Sequence, residues 1–202
     1  MKDCNFVSTR MEQNMNLSSN EGNSFEDPTK YRQLVGSLIY LTTTGLDITF
    51  ALGILSRFMH KPCEGHWIAA QRVLKYLKGT QTLGIKYSRV SDFHLTGYAD
   101  SDFNGDKENG FSTSSYLITL GSAAITWRSK KQTIPADSTT EVEYVAATQA
   151  TKEIVLLRKF LDDLRRNRQL QQLYLLIIIL QYNWQSILNF MIEPSISIPN
   201  IT

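Results

Sequence analysis

Three textures follow one another along the chain. From residue 31 to about 77 the apolar positions recur at helical spacing, from 83 to about 130 they recur every second residue, and from 138 to 164 helical spacing returns. In the first stretch Leu34, Leu38 and Leu41 mark one helix face, with Pro28 and Thr29 as its start signal. Gly45-Leu46-Asp47 breaks that pattern. A second helix carries Ile48, Ala51, Leu52 and Leu55 on one face and ends near Pro62. A third runs from about Glu64 to Leu77 with Trp67, Ala70, Val73, Leu74 and Leu77 inward, and Gly79 ends it. These three short amphipathic helices predict a small helical unit.

The middle stretch predicts strands at LGIKYS (83–88), HLTGYAD (94–100), SSYLITL (114–120) and AAITWRSK (123–130). Gly121-Ser122 joins the last two as a hairpin. Ser138 then opens a long helix, because Ser138 followed by Glu141 matches the capping box. Its buried stripe is predicted at Val142, Val145, Gln149, Ile154, Leu157, Leu161 and Leu164. The fold class is therefore an α/β (α+β) mix: a helical unit, a strand meander, then one long helix. Residues 1–30, rich in Asn, Ser, Glu and Met and without period, read as an unanchored, disordered linker.

Length and composition allow one ordinary domain or two small ones: 202 residues, 42% hydrophobic and 20% charged. The net charge of +2 says little, but its distribution says more. Residues 61–90 carry six Lys/Arg against Glu64 alone, whereas residues 91–110 carry five acids against Lys107 alone. A basic block beside an acidic one suits a phosphate-binding surface next to a metal site. Arg72, Lys75 and Lys78 step by three along the third helix, and Arg128, Lys130 and Lys131 cluster on the last strand. Both groups are candidates for nucleic-acid binding. Two cysteines far apart, Cys4 and Cys63, form no disulfide framework, and no signal-peptide pattern opens the chain. The expectation is an intracellular protein that is not secreted. The longest apolar run, LYLLIIIL at 173–180, is too short to cross a bilayer, so no membrane partner is expected.

The candidate chemistry lies in two segments. LTGYADSDFNGD (95–106) delivers Asp100 to the end of a strand, and STTEVEY (138–144) places Glu143 in the first turns of the long helix, beside Ala146, Ala147 and Ala150. A strand carboxylate facing a helix carboxylate is one way to hold a divalent metal for phosphodiester hydrolysis. Asp102, Asp106, Glu108 and Glu141 read as solvated or capping acids. His60, Cys63 and His66 are three apart, but Pro62, Gly65 and the lack of a fourth ligand argue against zinc.

Several segments carry a family resemblance. YRQLVGSLIYL, SRFMHKP, HWIAAQRVLKYLKGT, GYADSDFNGD, STSSYLITLGSAAITWRSKKQ and STTEVEYVAATQATKEIVLLRKFL resemble, in order, the end of a copia-type retrotransposon polyprotein. The resemblance covers about residues 1–164. It implies a reverse transcriptase thumb or connection at 31–88, the N-terminal part of a truncated ribonuclease H-like domain at 91–164, and an aberrant tail at 165–202. It further implies Asp100 and Glu143 as catalytic ligands of a two-Mg2+ site cutting RNA in RNA–DNA hybrids. The implied partners are such hybrids and other parts of the polyprotein. The Tyr-x-Asp-Asp motif of the polymerase is absent, so DNA synthesis is not expected.

The chain departs from the family in three places. Gly45-Leu46 stands where the family has Arg-Pro, and Asp137 precedes Ser-Thr-Thr-Glu where the family has Ser-Ser-Thr-Glu. After Asp163 the chain contains no Asp and one acid, Glu193, where the family has a strand ending in Asp-Asn and later a Lys-His-Ile-Asp segment. Read one base earlier, ordinary codons for residues 173–198 can spell both missing pieces. A one-base frameshift between about residues 164 and 173 is the expectation. Without the third Asp, two ligands hold metal weakly, and nuclease activity is expected to be very low. The competing expectations are a non-catalytic nucleic-acid binder and a decayed product with no role.

Overall fold

The computed structural model describes residues 4–12, 17, 23–88, 94–106 and 109–166. The tail beyond Arg166, with its LYLLIIIL run, and Glu108 lie outside the described residues, while Arg165 and Arg166 continue the last helix. Helix α1 (Pro28–Leu41) starts on Asp27, whose carboxylate accepts the Lys30 N–H at 3.0 Å, with Pro28 at the first helical position where its missing donor costs nothing. A 3-10 turn (Leu46–Ile48), α2 (Thr49–Leu55) and a second 3-10 turn (Ser56–Phe58) follow, then α3 (Glu64–Gly79). Strands β1 (Leu95–Asp102), β2 (Thr113–Leu120) and β3 (Ala123–Lys131) form an antiparallel sheet in the order β1-β2-β3, and α4 (Thr139–Arg166) closes the described sequence. The fold is an α+β mix, as expected from the change of period.

The helical core gathers Tyr31, Val35, Leu38, Ile48, Leu52, Leu55, Ala70 and Val73, all buried. Each large apolar side chain among them contributes roughly 2 kcal/mol relative to exposure. The α2 face is the predicted one, Ala51, Leu52 and Leu55 with Ile48 before them. The face of α3 is rotated from the predicted one: His66, Ala69, Ala70, Val73 and Tyr76 are buried. Two polar anchors account for the rotation. The Tyr76 hydroxyl donates to Asp47 at 2.5 Å, and the His66 ring stacks on Phe58 at 3.9 Å.

The strands differ from expectation at one end. LGIKYS does not join the sheet; its contacts run through side chains, with the Tyr87 hydroxyl donating to Ala124 O and the Ser122 hydroxyl bonding both the N–H and the carbonyl of Ser88. The hairpin falls where predicted, with Gly121 at φ +60°, a conformation that suits glycine. A bulge between Ile118 and Thr119 interrupts only the β2–β3 ladder.

Compactness cuts the chain elsewhere than the resemblance does. Residues 6–154 form one unit, which contains both the helical unit and the sheet, and the end of α4 from Val155 onward lies outside it. The expected boundary near residue 90 is therefore not a boundary of packing. Within the larger unit the Trp127 indole N–H donates to Thr42 O at 2.9 Å, and Arg57 Nη2 donates to Thr113 Oγ1 at 3.0 Å.

The described part of the lead-in also departs from the expectation of a loose linker. Phe25 stacks on Trp67 with centroids 4.8 Å apart, Ser24 bridges Cys63, and Arg10 lies over the Tyr76 ring at 5.2 Å. The aromatic and charged residues scattered through 4–12 and 23–27 dock on α3.

Candidate carboxylate site and nucleic-acid interface

Strand alternation decides where Asp100 points. The β1–β2 ladder is unbroken from Leu95 to Asp102, pairing Gly97 with Ile118 and Asp100 with Ser115. A Cβ on Gly97 would run into Ile154 of α4, which places α4 on the face of Gly97, Ile118, Tyr116 and Ser114. Gln132 confirms that face by reaching both Ser114 Oγ at 2.7 Å and Val142 O at 3.4 Å. Asp100 lies three residues beyond Gly97, so its side chain leaves the opposite face. There it lines a groove between the sheet and the Leu46–Phe50 segment, with Phe50, Tyr98 and Trp127 among its walls.

Glu143 follows from the local build of α4. The Ser138 hydroxyl accepts the Glu141 N–H at 3.2 Å, and the Glu141 carboxylate reaches back to the Asp137 N–H at 3.0 Å. Beyond this N-terminal bracket Val142, Ala146, Ala150 and Leu164 are buried, of which Val142 and Leu164 belong to the predicted stripe and the other predicted positions are half-buried, while Glu143 is exposed. Asp100 is exposed as well. The sheet therefore stands between the strand carboxylate and the helix that bears its expected partner. Among the described residues no group of three His, Cys, Asp or Glu side chains could hold a metal ion. The described residues do not fit a two-Mg2+ site.

Other acids are held more firmly than the two expected ligands. Asp106, expected to be solvated, is buried: its carboxylate pairs with Lys131 and accepts from the Asn109 amide at 3.2 Å. The reason is the tight loop after β1, where Asn104 takes φ +55° and the Asp106 N–H bonds Phe111 O at 3.0 Å. Arg57, 56 residues away from Thr113 in sequence, enters the same neighbourhood. Burial pulls its guanidinium below the ordinary arginine range, while Asp106 and Asp102 oppose that shift. Arg57 had no signal in the sequence, since no local periodicity reports a contact across that separation.

The six candidate cations fall into different surroundings. On β3, Arg128 and Lys130 stand on the α4 face in register with Tyr116 and Ser114, whereas Lys131 stands on the other face, paired with Asp106 and 4.7 Å over the Phe111 ring. The expected cluster is thus split by the pleat. On α3, Lys75 and Lys78 are half-buried along the helix. Arg72 bonds Glu12 at 2.7 Å and Thr9 at 2.9 Å. His66 Nδ1 accepts the Cys63 N–H at 2.9 Å and so closes the start of α3, which is a structural task.

Comparison with known proteins places these elements. The chain is 39% identical over 158 residues to the retrovirus-related Pol polyprotein from transposon RE2 of Arabidopsis thaliana, covering 78% of this chain and 11% of that protein. It is 40% identical over 173 residues to the corresponding polyprotein from transposon TNT 1-94 of Nicotiana tabacum, covering 81% and 13% respectively. The chain belongs to the copia-type retrotransposon Pol polyprotein family. It spans about an eighth or less of the length of these Pol relatives. A third relative of this Pol-like chain is "Secreted RxLR effector protein 161" of Plasmopara viticola, 46% identical over 128 residues, covering 63% of this chain and 90% of that protein. That relative corrects the expectation of an intracellular, non-secreted protein: a protein similar to this chain over nine-tenths of its own length is named as secreted. No family model matches the chain. No solved structure matches it either.

Proposed function

We propose that this Pol-family chain is a remnant of the connection and ribonuclease H region that binds nucleic acid and does not cut it efficiently. The order of elements supports the ancestry: an Asp-bearing first strand, two further antiparallel strands, then a helix with Glu143 in its first turns. The observation that carries the loss of cutting is the placement of Asp100 on the far side of the sheet from α4. Hydrolysis through two metal ions needs carboxylates converging on one point, and these diverge. Binding needs less. The α3 row of Arg72, Lys75 and Lys78 supplies positive charge at a spacing that a phosphate backbone can follow, with affinity set by counterion release.

The test uses the purified chain, Mg2+ and a labelled RNA–DNA hybrid. The expected result is binding that weakens steeply with salt and no cleavage above background. Cleavage abolished by Asp100→Asn would overturn the loss of activity, and salt-insensitive or absent binding would overturn the binding role.

A further inference from the structure

The described residues of the lead-in, a strap on α3, meet that helix in reverse order, from its C-terminal end to its N-terminal end. The Phe6 ring lies over Gly79, Arg10 over Tyr76, Thr9 and Glu12 on Arg72, and Phe25 on Trp67. At Arg72 the contact has a particular form. One guanidinium nitrogen, Nη1, donates to Glu12 Oε1 at 2.7 Å while the other, Nη2, donates to Thr9 Oγ1 at 2.9 Å. Two oxygens presented side by side to the guanidinium fork is how arginine takes a phosphate group. Arg72 also begins the basic row of α3, so the strap occupies the first position that a nucleic-acid backbone would use.

We propose that Glu12 is an internal stand-in for a phosphodiester, lowering the affinity of the α3 edge for nucleic acid until it is displaced. This rests on the binding role proposed above. Three features make displacement feasible. The Glu12 side chain is 58% exposed, so a ligand can reach it. An ion pair so near solvent is weak. The strap keeps other anchors, because Phe6, Arg10 and Phe25 dock on Gly79, Tyr76, Asp47 and Trp67 and not on Arg72. Glu12 can swing away while the strap stays in place, leaving Arg72 to pair with phosphate beside Lys75 and Lys78.

The experiment measures anisotropy of a labelled RNA–DNA hybrid with the full chain over a salt series. Glu12→Gln should bind about two- to five-fold more tightly, the range a surface ion pair corresponds to. Its dependence of log affinity on log salt should steepen by about one, for one added phosphate contact. In an Arg72→Gln background the Glu12 change should do nothing. Should Glu12→Gln melt below the assay temperature, Glu12→Asp, which keeps the charge but shortens the reach, must shift affinity in the same direction. Salt-dependent binding that the Glu12 variants leave unchanged or weaken overturns the stand-in and leaves the binding role intact. Absence of salt-dependent binding in the parent and every variant overturns both.

Discussion

Ile154 rests its Cδ1 in the space that a Cβ on residue 97 would occupy. The contact fixes which face of the sheet α4 covers, and with it the side on which Asp100 emerges. Gly97→Ala is expected to destabilise the chain by about 1–3 kcal/mol, the cost of forcing extra volume into a packed contact. Urea unfolding of Gly97→Ala, Ile154→Ala and the double variant checks this. The double variant should lose less than the two single losses added together, since removing the Ile154 side chain makes room for the new methyl.

The Tyr31 hydroxyl is buried and donates to Leu55 O at 2.8 Å. Burial, assisted by Cys63, pushes its pKa above the ordinary phenol range. The folded state therefore keeps this proton at a pH where the unfolded chain releases it. Its contribution to stability is complete below about pH 10 and declines as pH rises further. Denaturation midpoints measured between about pH 9 and 11 should fall, and Tyr31→Phe should flatten that fall while costing about 1 kcal/mol at neutral pH for the lost hydrogen bond.

The acids divide by what holds them. Asp100→Asn and Glu143→Gln alter exposed side chains and should change stability by no more than about 0.5 kcal/mol. Asp106→Ala removes the buried partner of Lys131 and Asn109 and should cost about 1–3 kcal/mol. Thermal melts of the three variants give the ranking directly. An equal loss in all three would mean that the exposed pair is structural after all.

The departure after Asp163 predicts a nucleotide sequence. One base upstream of the reading frame, the bases running from the end of the Leu176 codon through Ile177 into Ile178 should encode Asp followed by Asn, and those of residues 195–198 should encode Lys-His-Ile-Asp. Sequencing the gene from codon 160 onward checks it. A shifted frame without the Asp-Asn pair would refute the frameshift.

Periodicity conveyed most of the architecture. The α2 face and the Gly121-Ser122 hairpin were legible because apolar spacing and a turn glycine are local signals. The α3 face differs from the predicted one by a fraction of a turn, since hydrophobicity alone undervalues Tyr76, whose hydroxyl bonds Asp47, and His66, whose Nδ1 accepts the Cys63 N–H. LGIKYS alternates like a strand, yet its contacts run through Tyr87 and Ser122 side chains. Site geometry was the least legible part. Motifs identify Asp100 and Glu143 but carry no information on which sheet face each meets, and Arg72 finds Glu12 across 60 residues.

The contacts of Trp127 with Thr42 and of Arg57 with Thr113 join two stretches of chain whose covalent connection runs through the segment near residue 90. Each stretch alone would present its half of that seam to water. Two separate polypeptides, one ending near residue 88 and the other beginning near 94, should therefore behave as complementing fragments. Mixed, they reassemble and quench into one melting transition; kept apart, neither attains it.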